Sequence, residues 1–411
     1  MAVTSLQVLT ELKGGPLLPD LRYLDMQDVY GDSKPPTIFQ TLCGPFDYLP
    51  LRSLSVEFNL DNAAFCAALL ATLKASPELR SLHFTVSAHM ADFEPSFEYL
   101  RSLSDVLRSY AFLVECTLDV NYCILPYHRF LPLIASWPKL RRLHLCNDSI
   151  LSPRDGTTQM DPEDERKRHA FSNVTDLTFD LGMTKTIAIL RATSFPTIQR
   201  CDLHLRLTNS VLPDLRPLFR SMSTDTLETL SFILQGPKGE PIAAFPSDWA
   251  PLGWFHNLRE LSVVAQDTSC FGDALWDQYA RSWPFLRRLE VEPNPSKGAL
   301  TRATYKSLAS IARWCPEIAK IAMHITDSPR PADLNSELEA LPVAPSLTEL
   351  QLWHSPIKDL EFVAECITTM FPSVWQTVRP SGLGKCDLYD TRWQTLFTLV
   401  EQCRRGIRPL A

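Results

Sequence analysis

Much that a chain of 411 residues can carry is missing from this one. No stretch approaches the roughly 18 consecutive apolar residues that a membrane span requires, so no membrane helix is expected. The opening MAVTSLQVLTELKGG lacks a basic segment followed by an apolar core of roughly 7–15 residues, so no secretory signal is expected. Positive charge is short as well. Forty Lys and Arg against 47 Asp and Glu leave a net charge of −7, which argues against a nucleic-acid partner, since that would want a basic face. The eleven cysteines are an odd number without CxxC pairs or clusters at the ends, which excludes a disulfide frame and a zinc site as expectations. Reduced thiols in a cytoplasmic or nuclear protein fit that pattern. There is no GxSxG, no HExxH and no glycine-rich phosphate loop, and Gly14-Gly15 lacks the Lys-Ser/Thr of a P-loop. Together these absences point to a chain that is not an enzyme and holds neither cofactor nor metal.

What the sequence does have is a period. Leu21-Arg22-Tyr23-Leu24-Asp25-Met26 has the form LxxLxL, and the form recurs from Leu51, Leu79, Leu113, Leu140, Val174, Ile198, Leu227, Leu258, Leu286, Ile318 and Leu347, with a weaker thirteenth copy from Val374. The spacings average about 29 residues. Proline stands two residues before the leading position at Pro19, Pro77, Pro138, Pro196, Pro284, Pro316, Pro345 and Pro372. A proline cannot continue a helix and biases the residue before it towards extended backbone, so each unit reads helix, stop, strand. Residues 61–75, opening on Asp61 as a helix cap, 300–314 and 357–371 have helical spacing, whereas Leu140–Leu145 alternates as a strand does.

A unit of about 29 residues with one short strand and one helix is the leucine-rich repeat. The leucines of one coil cannot be buried by that coil alone, so neighbours must stack on a shared core. The expected fold is therefore α/β: a leucine-rich-repeat solenoid of about 12–13 repeats, a curved right-handed horseshoe with a parallel sheet inside and helices outside. Residues 1–20 read as an N-terminal cap segment, 21–378 as the solenoid and 379–411 as a C-terminal cap, the last built on an amphipathic helix at 391–405 with Trp393, Leu396, Leu399 and Val400.

The fullest copy runs Leu113-Val-Glu-Cys116-Thr-Leu118-Asp-Val-Asn121-Tyr-Cys123, and the asparagine recurs at Asn59 and Asn294. It resembles the LxxLxLxxNxL motif of the leucine-rich-repeat superfamily over residues 18 to 378. The W/F-P-x-L phrase (Trp137-Pro138, Phe195-Pro196, Trp283-Pro284), the irregular lengths and R-x-L strands such as Leu79–Leu82 are most similar to fungal F-box/LRR-type proteins. That resemblance implies substrate recognition for a ubiquitin ligase. The family's F-box of roughly 40–50 helical residues is not found, since only twenty residues precede the first strand.

Residues 147–173 are the main polar insertion, within which 161–169 read as a short helix whose charges oppose the macrodipole. Residues 235–251 and 327–346 read as rim loops, and Trp137, Trp283 and Trp314 as helix-ending core residues. His83, His144, His204 and His324 fall on exposed strand positions in copies that are not adjacent, too far apart to share a metal. Cys116 and Cys201 take core positions, while Cys146 falls on the exposed side. His144 lies some 6–7 Å along the same strand, beyond reach of that thiol for direct activation, so no catalytic thiol is expected.

Third, fifth and seventh residues of each copy should face the concave side. Eleven acids stand there against Arg142, Arg200, Arg288 and Lys320. An acidic concave face suits a protein partner with a basic surface, although polar residues on any exposed sheet face can simply be solvated. The residues expected to carry binding are Asp180, Asp202, Glu260, Glu290 and Glu292, with the apolar pair Ile233 and Val264 and with Trp353 beside them. The apolar pair reads either as a small hot spot or as packing beneath the 235–251 loop. An LRR-type regulator of an enzyme, such as a GTPase activator or nuclease inhibitor, is the alternative reading of the same module.

Overall fold

The computed structural model describes residues 22–27, 49–59, 63–87, 97–121, 127–146, 168–207, 212, 214–236, 246–265, 268–293, 302–352, 355, 357–374 and 387–405. They fall into two compact units, residues 1–198 and 199–411.

The N-terminal unit carries six parallel strands in chain order: β1 (Tyr23–Gln27), β2 (Ser53–Asn59), β3 (Ser81–Ser87), β4 (Glu115–Asn121), β5 (Arg142–Cys146) and, after a two-residue strand β6 (His169–Ala170), β7 (Asp176–Gly182). Helices α1 (Ala63–Ala75), α2 (Phe97–Leu107), α3 (Tyr127–Ala135) and α4 (Met183–Arg191) connect them. A further short strand, β8 (Thr193–Ser194), pairs with β6 away from the main ladder, where Phe171 and Phe195 stack at 4.9 Å.

The C-terminal unit repeats the plan with β9 (Arg200–Arg206), β10 (Thr229–Gln235), β11 (Glu260–Ala265), β12 (Arg288–Pro293), β13 (Lys320–Ala322) and β14 (Glu349–Gln351), again parallel and in chain order. Its helices are α5 (Arg216–Arg220), α6 (Pro246–Trp249), α7 (Asp273–Ser282), α8 (Tyr305–Trp314), α9 (Leu334–Glu339), α10 (Leu360–Met370) and α11 (Asp387–Arg404). Parallel strands joined through helices, one strand per copy, are the α/β leucine-rich-repeat solenoid. All twelve leading copies supply a strand, while the strand of the copy from Val374 lies outside the described residues.

The register is the one the repeat dictates. Leading, fourth and sixth positions are sealed off in both units: Leu51, Leu54 and Val56, or Val174, Leu177 and Phe179 in the first, and Leu227, Leu230 and Phe232 in the second. Each such side chain contributes about 1.5–3 kcal/mol by leaving water. Of the described prolines of the phrase, Pro77, Pro138, Pro284, Pro316 and Pro345 sit in the turn between helix and strand, Pro196 in the turn between β8 and β9, and Pro372 in the turn after α10.

Three residues before the leading position of four copies, a second rule operates. Tyr110 Oη donates to the Leu73 carbonyl at 2.7 Å, Trp137 Nε1 to Leu107 at 2.9 Å, Trp283 Nε1 to Leu252 at 3.2 Å, and the Cys315 thiol contacts the Ala280 carbonyl at 3.7 Å. The acceptors lie on the helical segment of the preceding copy, where each carbonyl already accepts a backbone N–H three residues on and takes the tie as a second bond. The same slot thus ties each of these copies to the one before.

Three expectations change. Trp314 is 37 % exposed rather than buried, because it stands one residue earlier than Trp137 and Trp283 in the phrase and Cys315 takes the core slot. One residue turns a helix by about 100°, enough to move the indole outside; there it donates to Asp277 and lies under the Arg281 guanidinium. Stretch 235–251 is not all rim, since Trp249 and Pro251 are buried. Stretch 327–346 is largely exposed, though Ala344 is buried, and it forms α9, capped by Asp333 accepting from the Ser336 amide. The helix expected at 161–169 and the cap of Asp61 lie outside the described residues, except that 169 begins β6. The C-terminal helix packs on α10 through buried Leu396 and Val400.

Candidate functional site: the open face of the ladder

Third, fifth and seventh positions point away from the core, and parallel pairing sets them side by side in rows about 4.8 Å apart. In the N-terminal unit the third-position row runs Ser53, Ser81, Glu115, Arg142, Asp176, and the seventh-position row Glu57, Thr85, Asp119, Cys146, Asp180. Six carboxylates occupy these rows with that of the fifth position, namely Asp25, Glu57, Glu115, Asp119, Asp176 and Asp180, around one permanent cation, Arg142. Arg142 Nη2 binds Glu115 Oε2 at 2.8 Å, and Ser81 donates to the same oxygen at 3.4 Å. Asp176 accepts from the Thr175 hydroxyl at 2.6 Å.

The C-terminal unit places charge differently. Arg200 pairs with Asp202 at 3.0 Å and Arg288 with Glu290 at 2.8 Å. Lys320 stands between β12 and β14 and reaches both Glu290 and Glu349 at 2.9 Å. Burial by itself would raise the Glu290 carboxyl, but the hydrogen bonds from Lys320 and Arg288 outweigh it and hold the group below its ordinary value. Glu290, expected to carry binding, is paired with both cations within the face. Glu260 is exposed at the start of β11, and Glu292 and Asp202 are half-buried. Ile233 and Val264 are register partners on β10 and β11, both half-exposed, and His204 and Glu292 flank them in the same row. Trp353 lies outside the described residues.

Sequence reasoning missed one contact. Cys146 Sγ stands 2.7 Å from His144 Nε2 on the open face of β5, and both side chains are half-buried. The expected gap of 6–7 Å is a backbone spacing. The imidazole leans along the strand and closes it, and a His-x-Cys pair on one strand face is the signal that could have shown this. Nearby, His83 Nε2 and Thr85 Oγ1 meet at 3.1 Å in the same i, i+2 relation. Cys116 and Cys201, by contrast, are wholly buried at their fourth positions, and burial pushes both thiols far up. Among the described residues no three His, Cys, Asp or Glu gather as a metal ion would need, and no helix is long and apolar enough to cross a membrane.

No protein-family model matches the chain, and no curated protein matches it. Solved structures similar to it include a Leptospira interrogans LRR protein, 12 % identical, with 88 % of this chain and 79 % of that one covered at a TM-score of 0.42. Another is a chain from the yeast Rad7 and Elc1 complex, 16 % identical, with 95 % and 93 % covered at a TM-score of 0.33. At these values the strand ladder of the chain itself carries the fold assignment.

Proposed function

We propose that the chain is a non-catalytic protein-binding module that receives a partner with a basic surface on the open face of its strands. The observation that supports this is the charge of the N-terminal unit: six carboxylates in register around a single arginine, an arrangement complementary to clustered Lys and Arg. The finer reading is a substrate-recognition or scaffold protein of F-box/LRR kind working in the cytoplasm or nucleus. Its support is the W/F-P-x-L phrase and the R-x-L strands.

The test is a pair of charge reversals in the full chain. One replaces Glu57, Asp176 and Asp180 by Lys, the other Glu260 and Glu292. Surface changes of this kind move stability by only about 0.5 kcal/mol each, so melts should stay close to the parent. Affinity purification with mass spectrometry should lose its stoichiometric partner in the first variant, with a flatter salt dependence of what remains. Unchanged capture by the first variant would sink the proposal, and loss confined to the second would move the site to the C-terminal unit. Recovery of a ubiquitin-ligase adaptor and a cullin would support the finer reading; a GTPase or nuclease would replace it with enzyme regulation.

A further inference from the structure

We propose that Cys146 and His144 form a nucleophilic thiol–imidazole pair on the open face of the N-terminal unit, a modification site at which a peroxide converts the thiol to a sulfenic acid. The 2.7 Å contact between Sγ and Nε2 is the first observation. A base within hydrogen-bond reach is what activates a weak nucleophile, and with the imidazole proton on Nδ1 the thiol donates to Nε2. Placement is the second. Cys146 occupies a seventh position, half-exposed, whereas Cys116, Cys201, Cys315 and Cys366 are buried at no measurable exposure. Packing explains those four thiols and does not explain this one.

Polar and charged side chains on the neighbouring strands surround the pair. On neighbouring strands Asp119 and Asp180 are the register partners of Cys146, and Thr117 and Thr178 those of His144. Further down β5 lies Arg142, held by Glu115 on one side with Asp176 as its register partner on the other. In the proposed reaction the thiol proton moves to the imidazole as the new bond forms. In that step the sulfur attacks one peroxide oxygen, the S–O bond forms and the O–O bond breaks. The thiol proton passes to His144 Nε2 and from there to the departing oxygen, which leaves as water. Sulfur is oxidised by two electrons, the peroxide is reduced by two, and His144 is returned unchanged.

A comparator exists in the same chain. Cys403 on α11 is also half-exposed, but burial raises its thiol first, Glu365 acts in the same direction, and its side-chain contact is the Thr368 hydroxyl rather than an imidazole. The experiment exposes the full chain to hydrogen peroxide near neutral pH, traps sulfenic acid with dimedone and reads each cysteine by peptide mass spectrometry. Cys146 should be trapped at least about tenfold faster than Cys403, and His144→Gln should lower the Cys146 rate by about tenfold or more while leaving Cys403 alone. A small thiosulfonate at about pH 10, where exposed thiols ionise unaided, should label Cys146 equally in both proteins. Cys146 reacting no faster than Cys403 overturns the proposal, and this comparison needs no variant. An unchanged rate in His144→Gln, or a loss that persists at high pH, removes the imidazole from the chemistry and overturns it equally.

Discussion

In the N-terminal unit the open face sets six carboxylates around Arg142, whereas in the C-terminal unit Arg200, Arg288 and Lys320 each sit on a carboxylate of the same face. The cores differ in the same spirit. The first unit stacks Phe171 on Phe195, with Phe179 edge-on. The second runs a chain of rings from Phe219 through Phe232, Trp249, Phe271, Trp276 and Tyr279 to Trp283, neighbouring centroids 4.8–6.2 Å apart. One ladder thus supports two divisions of labour. In the C-terminal unit arginine and lysine pair with acids along the face; in the N-terminal unit the acids outnumber the permanent cations of these rows six to one.

The largest effect should come from the aromatic chain. Phe232→Ala removes the ring that Phe219 and Trp249 both touch, and should cost about 3–5 kcal/mol in denaturant unfolding. Phe179→Ala, at the equivalent sixth position of the copy from Val174, should fall at the lower end of that range because fewer rings meet it. Equal costs would show that the chain of rings adds nothing beyond ordinary burial.

A smaller effect separates two buried tyrosines. Tyr110 donates to the Leu73 carbonyl, while the buried Tyr279 hydroxyl has no hydrogen-bond partner among the described residues. Tyr110→Phe should destabilise by about 0.5–1.5 kcal/mol, and Tyr279→Phe should be neutral or stabilising, since it removes a buried group that gave up water without replacement. Matching losses in both would mean that Tyr279 finds a bound water.

The smallest effect is acid dependence in the C-terminal unit. Glu290 titrates below its ordinary value of 4.5 in the folded chain, so its contribution is complete above that pH and is lost as pH falls through the lower folded value. Glu290→Gln should flatten the fall in melting temperature below about pH 4.5 by an amount worth at most about 1 kcal/mol, as partly exposed ion pairs are. An acid limb of unchanged slope would place the sensitivity elsewhere.

The fold was legible because its signals are local and repeated. The leading leucines and the prolines two residues earlier name the strands and the turns without any knowledge of what packs where. The face was legible in composition and not in pairing. That Glu290 belongs to Lys320 depends on which copies are neighbours and on how far a lysine stem reaches, which spacing along the chain does not carry. Cys146 and His144 were separated by counting backbone when the relevant distance lay between side-chain tips. Trp314 was misplaced by a single residue, and a stricter count from Pro316 would have found Cys315 in the core slot instead.

The ties from Tyr110, Trp137, Trp283 and Cys315 each reach one copy back and no further. Such a chain can be edited by whole coils. Excising one complete copy in frame leaves every later hydroxyl, indole or thiol facing an equivalent carbonyl on whichever helix now precedes it, whereas excising half a copy strands donor and acceptor alike. Duplication works by the same rule. The length of the open face is therefore a matter of copy number, open to inheritance and to engineering one rung at a time.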